Sequence, residues 1–138
     1  MNDRLIIYTD GGARGNPGPA AIGVAIYDLK NIHEPIKVLS RFLGITTNNQ
    51  AEYHALIAAL QEASKLKASK ITCFLDSELV VRQLSGKYKV REHGLKSLVS
   101  EVLRLQNGFE QIDFKHVPRE KNKLADRLVN EVLDEKGY

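Results

Sequence analysis

Apolar residues fall along this chain in two rhythms, and the change between them predicts its elements. Residues 4–9 (RLIIYT) form a short apolar run ended by Asp10, which predicts a strand. Residues 20–27 (AAIGVAIY) and 36–43 (IKVLSRFL) predict two more, parted by a turn signal over 31–35. From Asn49 the period lengthens: Ala51, Ala55, Leu56, Ala59, Leu60 and Ala63 share one helical stripe. Thr47 with Gln50, and Asn49 with Glu52, each fit a capping box at its start. Residues 71–75 (ITCFL) read as a strand buried on both faces. Ser77 predicts the cap of a short helix through Leu84, stopped by Gly86. From Gly94 to Gln106, Leu95, Leu98, Val99, Val102 and Leu103 recur at helical spacing. Residues 111–117 alternate as a last strand, in which His116 reads as an edge or core histidine. Pro118 ends it, and a final helix starts near Asn122 with Leu128, Val129, Val132 and Leu133 inward.

Three strands with short connections predict an antiparallel meander. The strand–helix alternation after them predicts right-handed crossovers that add parallel strands. The fold class is therefore α/β, a mixed five-stranded sheet flanked by helices, as a single domain over residues 1–138. The hydrophobic share of 43% and charged share of 27% exclude disordered and fibrous classes. No apolar run approaches the ~18 residues of a membrane span. Asp3 and Arg4 interrupt any secretory leader. Cys73 is alone, so it forms neither an internal disulfide nor a thiolate cluster and reads as a small buried hydrophobe. The default setting is reducing and cytoplasmic.

Charge adds a direction. Segments 82–104 and 115–127 carry +4 and +3 in a chain of net +3, so the remainder nets −4. Such local basic surface suits phosphate contact, although two solvated helix faces would look the same.

The loop at 11–18 (GGARGNPG) follows a strand, but it lacks the G-x-G-x-x-G and Gly-Lys-Ser/Thr patterns, and strand residues follow it instead of a helix. Its glycines fit a hairpin turn and close backbone approach. An aspartyl-nucleophile phosphatase would need a second Asp where Gly12 stands. Ser77 and Ser85 have no evident histidine partner.

Four carboxylates stand out. Asp10 and Asp76 end strands, Glu52 lies early in the first long helix, and Asp126 lies early in the last one, off its apolar stripe. Each has an ordinary reading: an Asp-Gly turn, a capping glutamate, an N-cap, a helix-dipole partner. Together they place negative charge on negative charge at one sheet edge, which cations must neutralise. An all-oxygen ligand set selects Mg²⁺ or Mn²⁺ over zinc. Two such ions can hold the attacking water and the leaving oxygen of a phosphoryl displacement.

Tyr8-Thr9-Asp10-Gly11-Gly12 with Gly15-Asn16-Pro17-Gly18-Pro19 resembles the opening of type 1 ribonuclease H. Thr46-Thr47-Asn48-Asn49-Gln50-Ala51-Glu52, then Asp76-Ser77 with Val81, then Pro118-Arg119-Glu120-Lys121-Asn122 through Ala125-Asp126 resemble its later motifs, in family order over residues 8–126. The resemblance implies a ribonuclease H-like fold and cleavage of the RNA strand of RNA/DNA hybrids, leaving 5′-phosphate and 3′-hydroxyl ends. It implies two Mg²⁺ or Mn²⁺ ions, bound with substrate by Asp10, Glu52, Asp76 and Asp126. Gly11, Asn16, Thr47, Asn48 and Asn49 resemble the family's substrate groove, where contact with the 2′-hydroxyl separates RNA from DNA. Many members carry a histidine in the loop before the fourth acid. Here that loop is shorter and holds Arg119 and Glu120, which are the candidates for its product-release role. The extra basic helix of some members is reduced to residues 86–94, with Lys87 and Lys89 as candidate phosphate contacts. The family's separate hybrid-binding domain is expected to be absent, since the first motif begins at Tyr8. The expected partner is a hybrid duplex, with no membrane, no protein partner and a monomeric state. The competing readings are a non-catalytic hybrid-binding module and a relative cutting double-stranded RNA.

Overall fold

The computed structural model describes residues 3–86, 90 and 92–138. Its first strand, β1 (Arg4–Ala13), alternates buried and half-buried residues along its first half, as a strand lying on a core must. It pairs antiparallel with β2 (Gly18–Asp28), which pairs antiparallel with β3 (Lys37–Thr46). Helix α1 (Asn48–Lys65) returns the chain to β4 (Lys70–Leu75), parallel to β1. Helices α2 (Glu78–Leu84) and α3 (His93–Gln106) lead to β5 (Gln111–His116), parallel to β4. A 3-10 turn at Arg119–Lys121 then enters α4 (Lys123–Glu135). The sheet order is β3-β2-β1-β4-β5, the predicted mixed sheet with antiparallel strands before parallel ones.

The main core lies between one sheet face and α1. Leu5, Ile7, Val24, Ile26, Cys73 and Leu75 meet Tyr53, Leu56 and Leu60 there. On the opposite face α4 packs Val129 and Leu133 on Ala21.

Two expectations need correction. Residues 11–13 are strand, not loop, because Gly11 and Gly12 pair with Ile22 and Ala21; only residues 14–17 form the turn. β4 is buried on one face only: Ile71, Cys73 and Leu75 are buried, while Lys70, Thr72 and Phe74 are half-buried. Helix α4 packs on β1, β2 and β3, so it leaves that side of β4 uncovered. The start of α1 resolves the paired capping signals. Thr47 is the N-cap and accepts from the Gln50 N–H at 3.2 Å, while Glu52 serves no cap.

Candidate active site

Each of the four acids sits where an element begins or ends. β1 outruns β4: Thr9 is the last β1 residue paired with it, opposite Leu75, and Asp76 follows as β4 stops. From Asp10 onward this side of β1 is open. Glu52 descends from the start of α1 and Asp126 from the first turn of α4.

Two glycines admit those helices. A Cβ on Gly11 would lie 2.2 Å from the Ala51 carbonyl carbon, and one on Gly23 would lie 2.3 Å from the Ala125 carbonyl oxygen. Gly11 meets α1 on one face of the sheet, and Gly23 meets α4 on the other. Each contact is with the residue just before an acid, Ala51 before Glu52 and Ala125 before Asp126. One oxygen each from Asp10, Glu52 and Asp76 all lie within 4.8 Å of one another. Asp126 lines the same cleft, about 610 Å³ in volume, near enough to share a hydrogen bond with Asp10.

Crowding shows in the electrostatics. Asp10 and Glu52 are each 7% exposed. Burial, reinforced by the charges of Asp76 and Asp126, pushes the Asp10 carboxyl up to about 7. Burial, then Asp10 and Asp76, raise Glu52 well above the usual carboxylate range, opposed in part by the Gly11 N–H. Asp76 is raised by burial too, against the pull of the Asn122 amide and of Arg119 and His116. His116 itself is exposed at the end of the edge strand. Glu52 Oε2 is buried without a hydrogen-bond partner. Like charges this close cannot all ionise in a poorly solvated site. A hard divalent cation fits: it offsets the repulsion and takes the orphaned oxygen as a ligand.

Residues 8–132 match the family described as reverse transcriptase-like. A bifunctional protein of Mycobacterium tuberculosis is 41% identical over 95% of this chain and 36% of its own length. Ribonuclease HI of Halobacterium salinarum is 39% identical over 96% of this chain and 65% of its own length. This chain thus spans between about a third and two thirds of those relatives. The Halobacterium salinarum ribonuclease H1 crystal structure superposes with a TM-score of 0.91, covering 96% of this chain and 98% of that one at 39% identity. LC11 ribonuclease H1, solved in complex with an RNA/DNA hybrid, gives a TM-score of 0.90 over 97% and 99% at 45% identity. The chain belongs to the type 1 ribonuclease H family. That family of nucleases implies a divalent metal, in keeping with the acidic cluster.

In this chain the groove residues divide. Gly11, Asn48 and Asn49 line the acidic cleft, whereas Asn16 and Thr47 do not. Asn48 Oδ1 accepts from the Ala13 N–H at 2.7 Å, and Asn16 Oδ1 accepts from the Asn48 N–H at 3.1 Å. The two side-chain oxygens are thus spent tying the end of β1 and the 14–17 turn to the start of α1, which leaves their NH₂ groups as donors. Thr47 gives its oxygen to the helix cap. Lys87 and Lys89 lie outside the described residues. Arg119 reaches Asp126 at 3.3 Å with its side chain 77% exposed. Glu120, grouped with it by sequence, instead lines a second cleft on the far side of the 3-10 turn.

Sequence reasoning missed two residues. Asn122 is 1% exposed and makes no side-chain cap bond. Its Nδ2 donates to the Thr9 carbonyl at 2.8 Å and reaches Asp76 Oδ2 at 3.5 Å, so it links β1 to the end of β4. The sequence marks Asn122 only as the end of a motif and the start of the last helix, and neither signal assigns its side chain a partner. Arg14 lines the cleft and ties the turn to α4 through Asp134 at 2.8 Å and Asn130 at 3.2 Å.

Proposed function

We propose that this protein is an endonuclease that hydrolyses the RNA strand of RNA/DNA hybrids, leaving 5′-phosphate and 3′-hydroxyl ends. The observation that carries the reading is the convergence of Asp10, Glu52 and Asp76 within 4.8 Å, with Asp126 in the same cleft. The hybrid bound to LC11 ribonuclease H1 supports the substrate class.

The four carboxylates would hold two divalent ions, Mg²⁺ or Mn²⁺, together with substrate. Those ions supply activation of a water and charge stabilisation at the departing oxygen. The chain supplies the rest. Asp10 and Glu52, held by buried main-chain contacts, fix one side of the centre, and Asn122 orients Asp76. The NH₂ groups of Asn16, Asn48 and Asn49 are donors suited to 2′-hydroxyls and phosphates, contacts that read no base. Lys87 and Lys89 add sequence-independent phosphate contact. The exposed Arg119 guanidinium can leave Asp126 for a newly formed phosphate end, the role of the histidine this loop lacks. A non-catalytic module would gain by discarding buried like charge, whereas this site keeps four acids. Cys73, buried with its thiol pushed up to about 12, suits a reducing cytoplasm.

The deciding experiment incubates end-labelled RNA/DNA hybrid, duplex RNA and duplex DNA with the protein and Mg²⁺, Mn²⁺ or chelator. Metal-dependent cutting of the hybrid's RNA strand alone is expected. Equal cutting of duplex RNA would replace the substrate assignment, and an intact hybrid in both metals would reject the nuclease.

A further inference from the structure

A second cleft lies behind the 3-10 turn, separated from the acids by the segment Arg119–Asn122. It has a volume of about 280 Å³ and is lined by Tyr8, Tyr27, Ile32 and Leu124, with Lys121 and Lys123 at its rim. That volume falls just below the roughly 300–1,000 Å³ range of drug-sized ligand sites, too small for a duplex and suited to one planar unit.

Its walls are aromatic. Tyr8 and Tyr27 meet edge to face, with centroids 5.9 Å apart, and Tyr8 stacks on Phe74 at 5.1 Å. This row crosses β2, β1 and β4 on the face that carries α4, running out to the side of β4 that α4 leaves uncovered, and Phe74 is in register with the exposed Lys115 of β5. Ile32, 57% exposed, extends the apolar wall outward.

Its rim is cationic without an internal reason. Lys121 and Lys123 are exposed and make no ion pair among the described residues. Lys123 opens α4, at the positive end of the helix dipole, where a cation is disfavoured and an anion is favoured. Glu120 is the acidic exception in the lining. Aromatic walls beside unpaired lysines match what unpaired nucleic acid presents, a flat base with a phosphate on each side.

We propose that this cleft holds one nucleotide of an unpaired strand, its base against Tyr8 and Tyr27 and its phosphates on Lys121 and Lys123. Lys115, in register with Phe74, is the next exposed cation beyond the aromatic row. The inference rests on the nuclease reading for its biological sense, because the cleft would hold single-stranded RNA flanking a hybrid.

The test is a heteronuclear NMR titration of the metal-free protein with an eight-nucleotide oligouridylate. Uridine 5′-monophosphate and inorganic phosphate serve as separate arms. Saturable shifts at Tyr8, Tyr27, Ile32 and Leu124 are expected, with the oligomer at least tenfold tighter than the mononucleotide. The K121A/K123A double variant changes only exposed side chains, and it should weaken the oligomer about tenfold or more. Y27L should weaken it by about 5- to 100-fold, the loss typical of one base–aromatic contact. Shifts confined to Asn48 and Asn49, shifts reproduced by inorganic phosphate, or equal affinity for the mononucleotide would each overturn the proposal. Hybrid cleavage is assayed on the same samples in Mg²⁺. A protein that cleaves but shows no cleft shifts loses this site and keeps its nuclease assignment.

Discussion

The inner and outer acids of the cleft face opposite problems. Asp10 and Glu52 are each 7% exposed, burial and the neighbouring acids raise both carboxyls, and one oxygen of Glu52 has no hydrogen-bond partner. Asp76 and Asp126 lie at the half-buried mouth, and the protein supplies each with a counterpart: the Asn122 amide for Asp76 and the Arg119 guanidinium for Asp126. The inner pair therefore depends on something the polypeptide lacks, whereas the outer pair is already partly satisfied. A site built for stability alone would treat all four alike.

The strongest way to break this contrast is to neutralise the inner pair. D10N or E52Q should lower hybrid cleavage by about 1,000-fold or more, since each removes a charge where charge develops in the transition state. D126N should cost less, because Asp126 sits at the mouth. Equal losses, measured as kcat at saturating metal, would erase the distinction.

Asn122 comes next. N122A should leave the acids in place but free Asp76, raising the Mg²⁺ concentration for half-maximal activity about 10- to 100-fold. Calorimetric metal binding without substrate should weaken in parallel. Unchanged metal binding would make Asn122 a purely structural strap.

The third test uses pH. The Asp10 carboxyl is raised from its ordinary value of 3.8 to about 7 in the folded chain. Well below pH 3.8 it is protonated in both folded and unfolded states and its charge costs nothing. As pH rises towards 7 the unfolded chain ionises freely while the folded one resists, so stability falls through that window. In chelator, Tm should drop between pH 4 and pH 7. D10N should flatten that drop and raise Tm at pH 7 by roughly 3 °C or more. A flat profile for the parent protein would show the inner pair to be unstrained.

The smallest effect is expected at Arg119. Its ion pair is exposed, so R119A should change stability by less than ~1 kcal/mol. A severalfold fall in kcat with KM unchanged would separate a role at product release from one in binding.

Much of this was legible before any coordinates. The 3.6 and 2.0 periods located the helices and strands, and the acids drew attention because strand ends and early helix turns rarely need four of them. What periodicity could not convey was contact between elements. Residues 11–13 read as loop because glycine is rare in strands, yet here glycine is the residue that permits strand and helix to touch. β4 looked fully buried because apolar runs do not say which side a distant helix covers. Asn122 read only as the start of a helix because its partners, Thr9 and Asp76, are far away in sequence.

The missing side chains at Gly11 and Gly23 have a consequence for how this centre could evolve or be redesigned. The gap between acids from opposite faces of the sheet is measured out by two hydrogen atoms pressed on main chain. A methyl at either position would have to displace a whole helix, since no rotamer change can relieve a clash with backbone. The calibration of the acidic cleft is therefore insulated from ordinary side-chain drift and exposed to just two codons.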